Sequence, residues 1–193
     1  MSQEIGARRN QHLNLHRIIT QSASSTSDSQ ALCDMVSFLN PSTIIELGTS
    51  VGLTTRALAL AAPKTTIISI EGNTDLYNIA QSHLCAFGNV NLYNSLFDNI
   101  LPSLTWDKSK PVFVFIDGNH TYEASLRYFK FFIERAAVGS GLILHDIRWS
   151  IGMMRAWKEI KQLDFAGVSL ESYTMGMVFL REGILKQEFR IKY

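Results

Sequence analysis

Long apolar runs are missing from this sequence. Its most hydrophobic stretches have the length of a strand, too short to span a bilayer as a helix. Charge imbalance is missing too: 18 Lys and Arg against 17 Asp and Glu leave a formal net charge of +1. That gives no electrostatic footprint for wrapping duplex nucleic acid, so no nucleic-acid partner and no membrane partner is expected. Cysteine is scarce. Cys33 and Cys85 are the only two, and their spacing supports neither a disulfide framework nor a metal pair, so two buried thiols in a reducing compartment are expected. The opening "MSQEIGARRNQHLNLHRIITQ" carries Arg8 and Arg9 with no apolar stretch behind them; it does not read as a secretory signal, and the expected location is cytoplasmic. No internal repeat interrupts the chain.

What is present is the composition of a folded domain. Hydrophobic residues make up 46% of the 193 and charged residues 18%, enough for one ordinary core. Residues 1–26 read as a weakly amphipathic N-terminal helix (Leu13, Leu15, Ile18, Ile19) and a polar linker, "TQSASSTSDS". A lid, a homodimer contact and a loose arm are all open roles for that helix. Residues 27–193 read as the main domain. Ser27 with Gln30 forms a capping box, and Leu32, Met35, Val36 and Leu39 follow at helical spacing until Asn40-Pro41.

Beyond Pro41 the pattern alternates. The strands "TIIEL", "TTIISI", "NVNLY", "VFVFI" and "GLILH" are separated by helices expected over Val51–Ala62, Asp75–Phe87 (closed by Gly88) and Tyr122–Ala137, with a last helix capped by Ser150. Unbroken apolar strands between amphipathic helices predict a parallel sheet covered on both faces. The closing segments "GVSLES", "MGMVFL" and "EFRIKY" leave no room for crossover helices and are expected to pair antiparallel. The predicted fold is therefore α/β: a three-layer α/β/α sandwich, Rossmann-like, whose mostly parallel sheet has an antiparallel C-terminal edge.

In such sheets ligands bind beyond the carboxyl ends of the strands, at the switch in strand order. Glu46, Glu71, Asp117 and Asp146 all fall at such ends. Four carboxylates on one rim repel one another unless a cation or hydroxyl donors offset them. The loop after the first strand, Gly48-Thr-Ser-Val-Gly52, is a G-x-x-x-G rather than the G-x-G-x-x-G of dinucleotide sites, and Glu46 two places earlier would repel a pyrophosphate. Glu71, roughly 20 residues on, suits ribose hydroxyls. A nucleoside with a ribose, a cationic side chain and no phosphate meets these demands, and S-adenosylmethionine is one.

At "IIELGTSVG", "IISIEGN", "FVFIDGNHTYEASL" and "GLILHDI" the chain resembles the class I S-adenosylmethionine-dependent methyltransferases, in the small-molecule O-methyltransferase branch that includes catechol O-methyltransferase. "HDIRWSIGMMRAWKEIK" and the ending "MGMVFLREGILKQEFRIKY" are similar to a group of bacterial methyltransferases. The resemblance implies the class I methyltransferase fold, with residues 27–193 as the S-adenosylmethionine-binding domain. It implies that Glu46, Gly48, Thr49, Ser50 and Gly52 surround the methionine part of the cofactor. Glu71, with Gly72 and Asn73, would hold the ribose; Ser95, Leu96 and Phe97 would border the adenine; Asp117 would lie under the transferred methyl. Catechol-type enzymes hold a divalent cation on an aspartate after the fourth strand and an Asp-Asn pair after the fifth. Asp117 and Asp146 match the aspartates, but Ile147 replaces the asparagine, so Mg²⁺ stays an open expectation on two carboxylates plus waters.

His120 falls where those enzymes place the lysine that takes the acceptor's proton, and imidazole suits a general base. A loop histidine capping the next helix is the other reading. His145 reads equally as a satisfied rim or core histidine. Trp149, Tyr122, Phe129 and Trp106 are candidates to line a pocket for a planar acceptor, or else core. The expected reaction is in-line methyl transfer to the hydroxyl of a small molecule. An aminopropyltransferase of the spermidine synthase type and a non-catalytic S-adenosylmethionine-binding protein are the alternatives.

Overall fold

A computed structural model describes residues 25–192. The expected N-terminal helix and most of its linker lie outside these. Helix α1 (Thr26–Leu39) comes first, and its N-cap is Ser25, whose hydroxyl accepts from the Asp28 amide; Ser27, expected to cap, is inside the first turn. Asn40 ends α1 in the left-handed region (φ 45°).

Strand β1 (Thr43–Leu47), helix α2 (Leu53–Ala61), strand β2 (Thr66–Glu71), helix α3 (Thr74–Leu84) and strand β3 (Val90–Asn94) build the first half. A short helix α4 (Phe97–Ile100) and a 3₁₀ turn lead to strand β4 (Val112–Ile116), helix α5 (Tyr122–Ile133), strand β5 (Gly141–Leu144) and helix α6 (Ile151–Ile160). Strands β6 (Gly167–Glu171), β7 (Gly176–Leu180) and β8 (Gln187–Arg190) close the chain. Helix α3 stops before Gly88, because the chain tightens at Cys85 and Phe87 donates to the Leu84 carbonyl. Ser150 caps α6 as expected, accepting from the Met153 amide at 3.1 Å.

The eight strands form one sheet in the order β3-β2-β1-β4-β5-β7-β6-β8. The first five are mutually parallel, with β1 between β2 and β4, and the order reverses there. β7 pairs antiparallel with both β5 and β6. The tail departs from expectation at β8, which pairs parallel with β6. β7 already has a neighbour on each side, so β8 must take the free edge of β6. A strand that reverses after β7 runs antiparallel to it and therefore alongside β6.

Side-chain alternation divides the core into two layers. Ile45 and Leu47 of β1 point to the layer that holds Phe129 and Phe132 of α5 and Met153 and Trp157 of α6. Ile44 points to the other, with Leu32 and Val36 of α1 and Leu58 of α2. The three-layer sandwich is as the sequence implies. The cysteines are not: Cys33 on α1 is half-buried, and Cys85, at the cap that ends α3, is exposed. Among the described residues no helix is long and apolar enough to cross a membrane.

Candidate active site

The loop after β1 starts as an extension of the sheet, with the Gly48 and Thr49 amides donating to the Ile70 carbonyl. Gly48 then turns at φ +105°, and a Cβ there would fall 2.1 Å from the Asp117 carbonyl oxygen. No side chain fits, and the loops after β1 and β4 touch through bare backbone. Gly52 (φ +85°) opens α2. Ser50 is held at φ 51°, its amide donating to Glu71 Oε2 at 2.8 Å. The other oxygen of Glu71 accepts from the Asn73 amide at 2.8 Å. Glu71 thus ties two loops together while keeping lone pairs toward the crevice between them.

Glu46 is placed otherwise than the sequence suggests. Its parity in β1 turns it to the face covered by α1 and α2, where it is 0% exposed. Its Oε2 accepts from Thr55 Oγ1 and Ser69 Oγ, each at 2.5 Å, and Oε1 has no partner. Burial pushes the carboxyl up to about 7, against the two hydroxyl donors. It braces the loop from behind and does not line the crevice. Glu71 and Asp117 line the crevice instead.

Asp117 follows β4, its amide donating to the Leu47 carbonyl at 2.8 Å. Next to it, Gly118 packs so close to the Phe97 ring that a Cβ would lie 3.0 Å from ring carbons. Asn119 (φ 52°) donates to the Tyr128 hydroxyl, and Thr121 caps α5 in the role one reading gave His120. His120 is left free to turn inward. Its Nε2 lies 3.8 Å from Asp117 Oδ1 and 3.8 Å from Asp146 Oδ2, its Nδ1 is buried without a partner, and the ring sits 6.2 Å from that of Trp149.

His145 ends β5. Its Nδ1 lies 3.0 Å from Asp117 Oδ1 and 3.6 Å from Asp146 Oδ1, and Nε2 lies 3.5 Å from Asp28 Oδ2 of α1. Burial opposes a charge on this ring, but the carboxylates of Asp117 and Asp28 outweigh it and hold the imidazolium up to about 10. Thr174, in the turn between β6 and β7, donates to the other Asp28 oxygen at 2.8 Å.

These pieces surround one cavity of about 820 Å³. Gly48, Ser50, Glu71, Gly72, Leu96 and Phe97 line it together with Asp117, His120 and Asp146. Thr49, Gly52, Asn73 and Ser95 are outside its lining. Thr49 bonds Ser69, Asn73 caps α3, and the Ser95 hydroxyl donates to the Leu96 carbonyl. Trp149 is 71% exposed at the cavity mouth, whereas Phe129 is core, Trp106 packs on Phe131 and Phe132, and the Tyr122 hydroxyl bonds Glu159. Asp28, Tyr128 and Thr174 also line the cavity and carried no signal in the sequence, since each depends on a contact made across the fold. The ligating atoms of Asp117, His120 and Asp146 all lie within 4.8 Å of one another, so the two carboxylates could share one divalent cation completed by water, with the imidazole beside it.

A doubly wound α/β sheet with its crevice at the carboxyl ends of β1 and β4 defines a Rossmann-like ligand-binding protein. Residues 45–147, more than half of the chain, match the family described as a methyltransferase domain, and the chain belongs to that family. No curated protein matches the sequence. Among solved structures it is similar to the O-methyltransferase TomG of Streptomyces achromogenes, involved in tomaymycin synthesis and solved with S-adenosylmethionine, at 18% identity, TM-score 0.71 and 86% coverage of both chains. It is similar to an O-methyltransferase of Bacillus cereus solved with S-adenosylhomocysteine, at 17% identity, TM-score 0.69 and coverage of 86% of this chain and 90% of that one. The S-adenosylhomocysteine-bound methyltransferase PaMTH1 of Podospora anserina shares 12% identity, with TM-score 0.71 and coverage of 84% and 81%.

Proposed function

We propose that this methyltransferase takes its methyl group from S-adenosylmethionine and delivers it to the hydroxyl of a small molecule. One observation carries the reading: a single cavity holds a carboxylate suited to ribose hydroxyls, Glu71, and an inward-turned imidazole, His120, with the bare backbone of Gly48 between them. The bound cofactor supplies a methyl group already activated on a sulfonium.

The protein's task is to hold an oxygen in line with that methyl group and to remove a proton. Gly48 and Ser50 leave backbone against which the methionine part can lie, and Leu96 and Phe97 offer apolar walls for the base. His120 Nε2 takes the acceptor's proton, with Asp117 and Asp146 each 3.8 Å away to balance the imidazolium that forms. His145 Nδ1, 3.0 Å from Asp117 Oδ1, fixes the same carboxylate oxygen that His120 faces at 3.8 Å. A divalent ion such as Mg²⁺ would be held by Asp117 and Asp146 beside His120, and would draw negative charge onto the acceptor oxygen. A near-neutral chain suits a small acceptor better than a nucleic acid.

The test is transfer of a labelled methyl group from S-adenosylmethionine to a panel of phenols and hydroxy acids, beside calorimetric titration of the cofactor. Labelled acceptor is expected, and His120→Ala should lower kcat by about a hundredfold or more with cofactor affinity unchanged. NAD bound in place of S-adenosylmethionine, or full turnover by the variant, would overturn the reading or remove His120 from it.

A further inference from the structure

Beside the transfer cavity lies a second pocket of about 540 Å³, of opposite charge. Among the described residues its lining carries the cations Arg148, Arg190 and Lys192 and one carboxylate, Asp28, which His145 and Thr174 already match. The two pockets share Ser25, Asp28 and Thr174 in their linings, so they are neighbours, with the hydrogen-bonded pair Asp28 and Thr174 at the ridge between them. The main cavity has the reverse balance, with Glu71, Asp98, Asp117 and Asp146 on its walls.

The basic side is built around Glu171, buried at the end of β6. Its carboxylate accepts from Trp157 Nε1 at 3.0 Å, Lys161 Nζ at 3.1 Å and the Arg148 guanidinium, and it forms an ion pair with Arg190 at 3.2 Å. Arg148 also donates to the Ser172 and Tyr173 carbonyls. One carboxylate thus anchors three cations, and among the described residues Glu188, 3.6 Å from Lys161, is the one other acid paired there. Positive charge is left over at a concave surface in a chain whose total is near zero. Arg148 stands two residues after Asp146, so their backbones are at most about 7 Å apart, within the length of a small aromatic molecule.

We infer that this basic pocket receives an anionic group, a carboxylate or phosphate monoester, carried by the same small molecule whose hydroxyl is presented to His120. The inference rests on the methyl-transfer reading of the larger cavity and narrows its acceptor to hydroxylated acids. An acceptor with a negative tail and a neutral hydroxyl enters with the tail toward Arg190 and Lys192, because Glu71, Asp117 and Asp146 reject it from the other end.

The experiment is calorimetric titration of the full chain, saturated with S-adenosylhomocysteine, with phenol, 3-hydroxybenzoate and 3-hydroxyphenyl phosphate. At least one anion should bind about tenfold or more tightly than phenol, and the tighter of the two names the group. Arg190→Gln with Lys192→Gln, both exposed positions, should bring the anions to phenol-like affinity while S-adenosylhomocysteine affinity and melting temperature hold; Arg190→Lys with Lys192 intact should keep most of the preference. Equal binding of all three probes, no binding of the anions, or a preference that survives the double substitution overturns the inference. Failure of the cofactor reading looks different: S-adenosylhomocysteine does not bind, while the anion preference is measured on the protein without it.

Discussion

A carboxyl group with no exposure at all is costly to ionise, and Glu46 is such a group. With its proton affinity raised to about 7 in the fold and near 4.5 in the unfolded chain, the folded state binds more protons between those values. Stability therefore falls as pH rises from 4.5 to 7, by about 3 kcal/mol in all. Glu46→Gln has no such slope. Denaturant unfolding from pH 4.5 to 8 should show the variant gaining on the wild type up to neutrality and running parallel above it; a constant difference would mean that Glu46 is not desolvated. Gly48 sets a second residue-scale expectation. Gly48→Ala, with its Cβ 2.1 Å from the Asp117 carbonyl, should cost more than about 2 kcal/mol and abolish cofactor binding, read by unfolding and calorimetry. Glu71→Ala should instead weaken cofactor binding while the fold persists. Gly48 and Glu71 were legible in the sequence because loop spacing and strand ends mark them. The inward turn of Glu46 was less so: its strand-end position suggested the rim, while its alternation with Ile44 put it under α2, where Thr55 and Ser69 supply the hydrogen bonds.

Among the elements, α1 has the least predictable role. Apolar spacing identified it as a helix, and nothing local revealed that Asp28 would meet His145 and Thr174 at the far end of the sheet. That contact joins the first described helix to Asp117 through one imidazolium. Asp28→Ala should lower stability by roughly 1–3 kcal/mol at neutral pH, since a buried charged donor loses an acceptor. The sign with pH follows from His145. Its raised affinity gives stability that is complete below about 6.5 and lost as pH climbs through about 10, so the gap between wild type and variant should narrow over that interval. Melting curves across the range decide it. The C-terminal strands show a different limit. Short connections did imply antiparallel pairing, correct for β6 and β7. Which edge remains for β8 depends on β5 already occupying one side of β7, which local sequence does not encode.

Across the whole molecule the layers followed directly from strand runs without charge and from helices with one apolar stripe. Two apolar layers on either face of one sheet account for nearly every buried Ile, Leu and Phe. The cavity, in contrast, is assembled from residues between 25 and 174, and its shape could not be read from any one segment. A ligand held only by the folded state raises the melting point. S-adenosylmethionine at about a hundred times its Kd should add about 2.7 kcal/mol. For a domain of this size that is a rise of roughly 5–10 °C, while NAD should give none.

Ser50, Asn119 and Asp146 all hold left-handed backbone angles that residues with side chains rarely adopt, and each belongs to a different loop of the same cavity. Torsions of that kind persist only where the surroundings dictate them, so the mouth has its working shape before any guest arrives. Little ordering is then left to be done on docking. At these three loops association should be nearly rigid-body, and discrimination between acceptors there should come from fit to a finished mould.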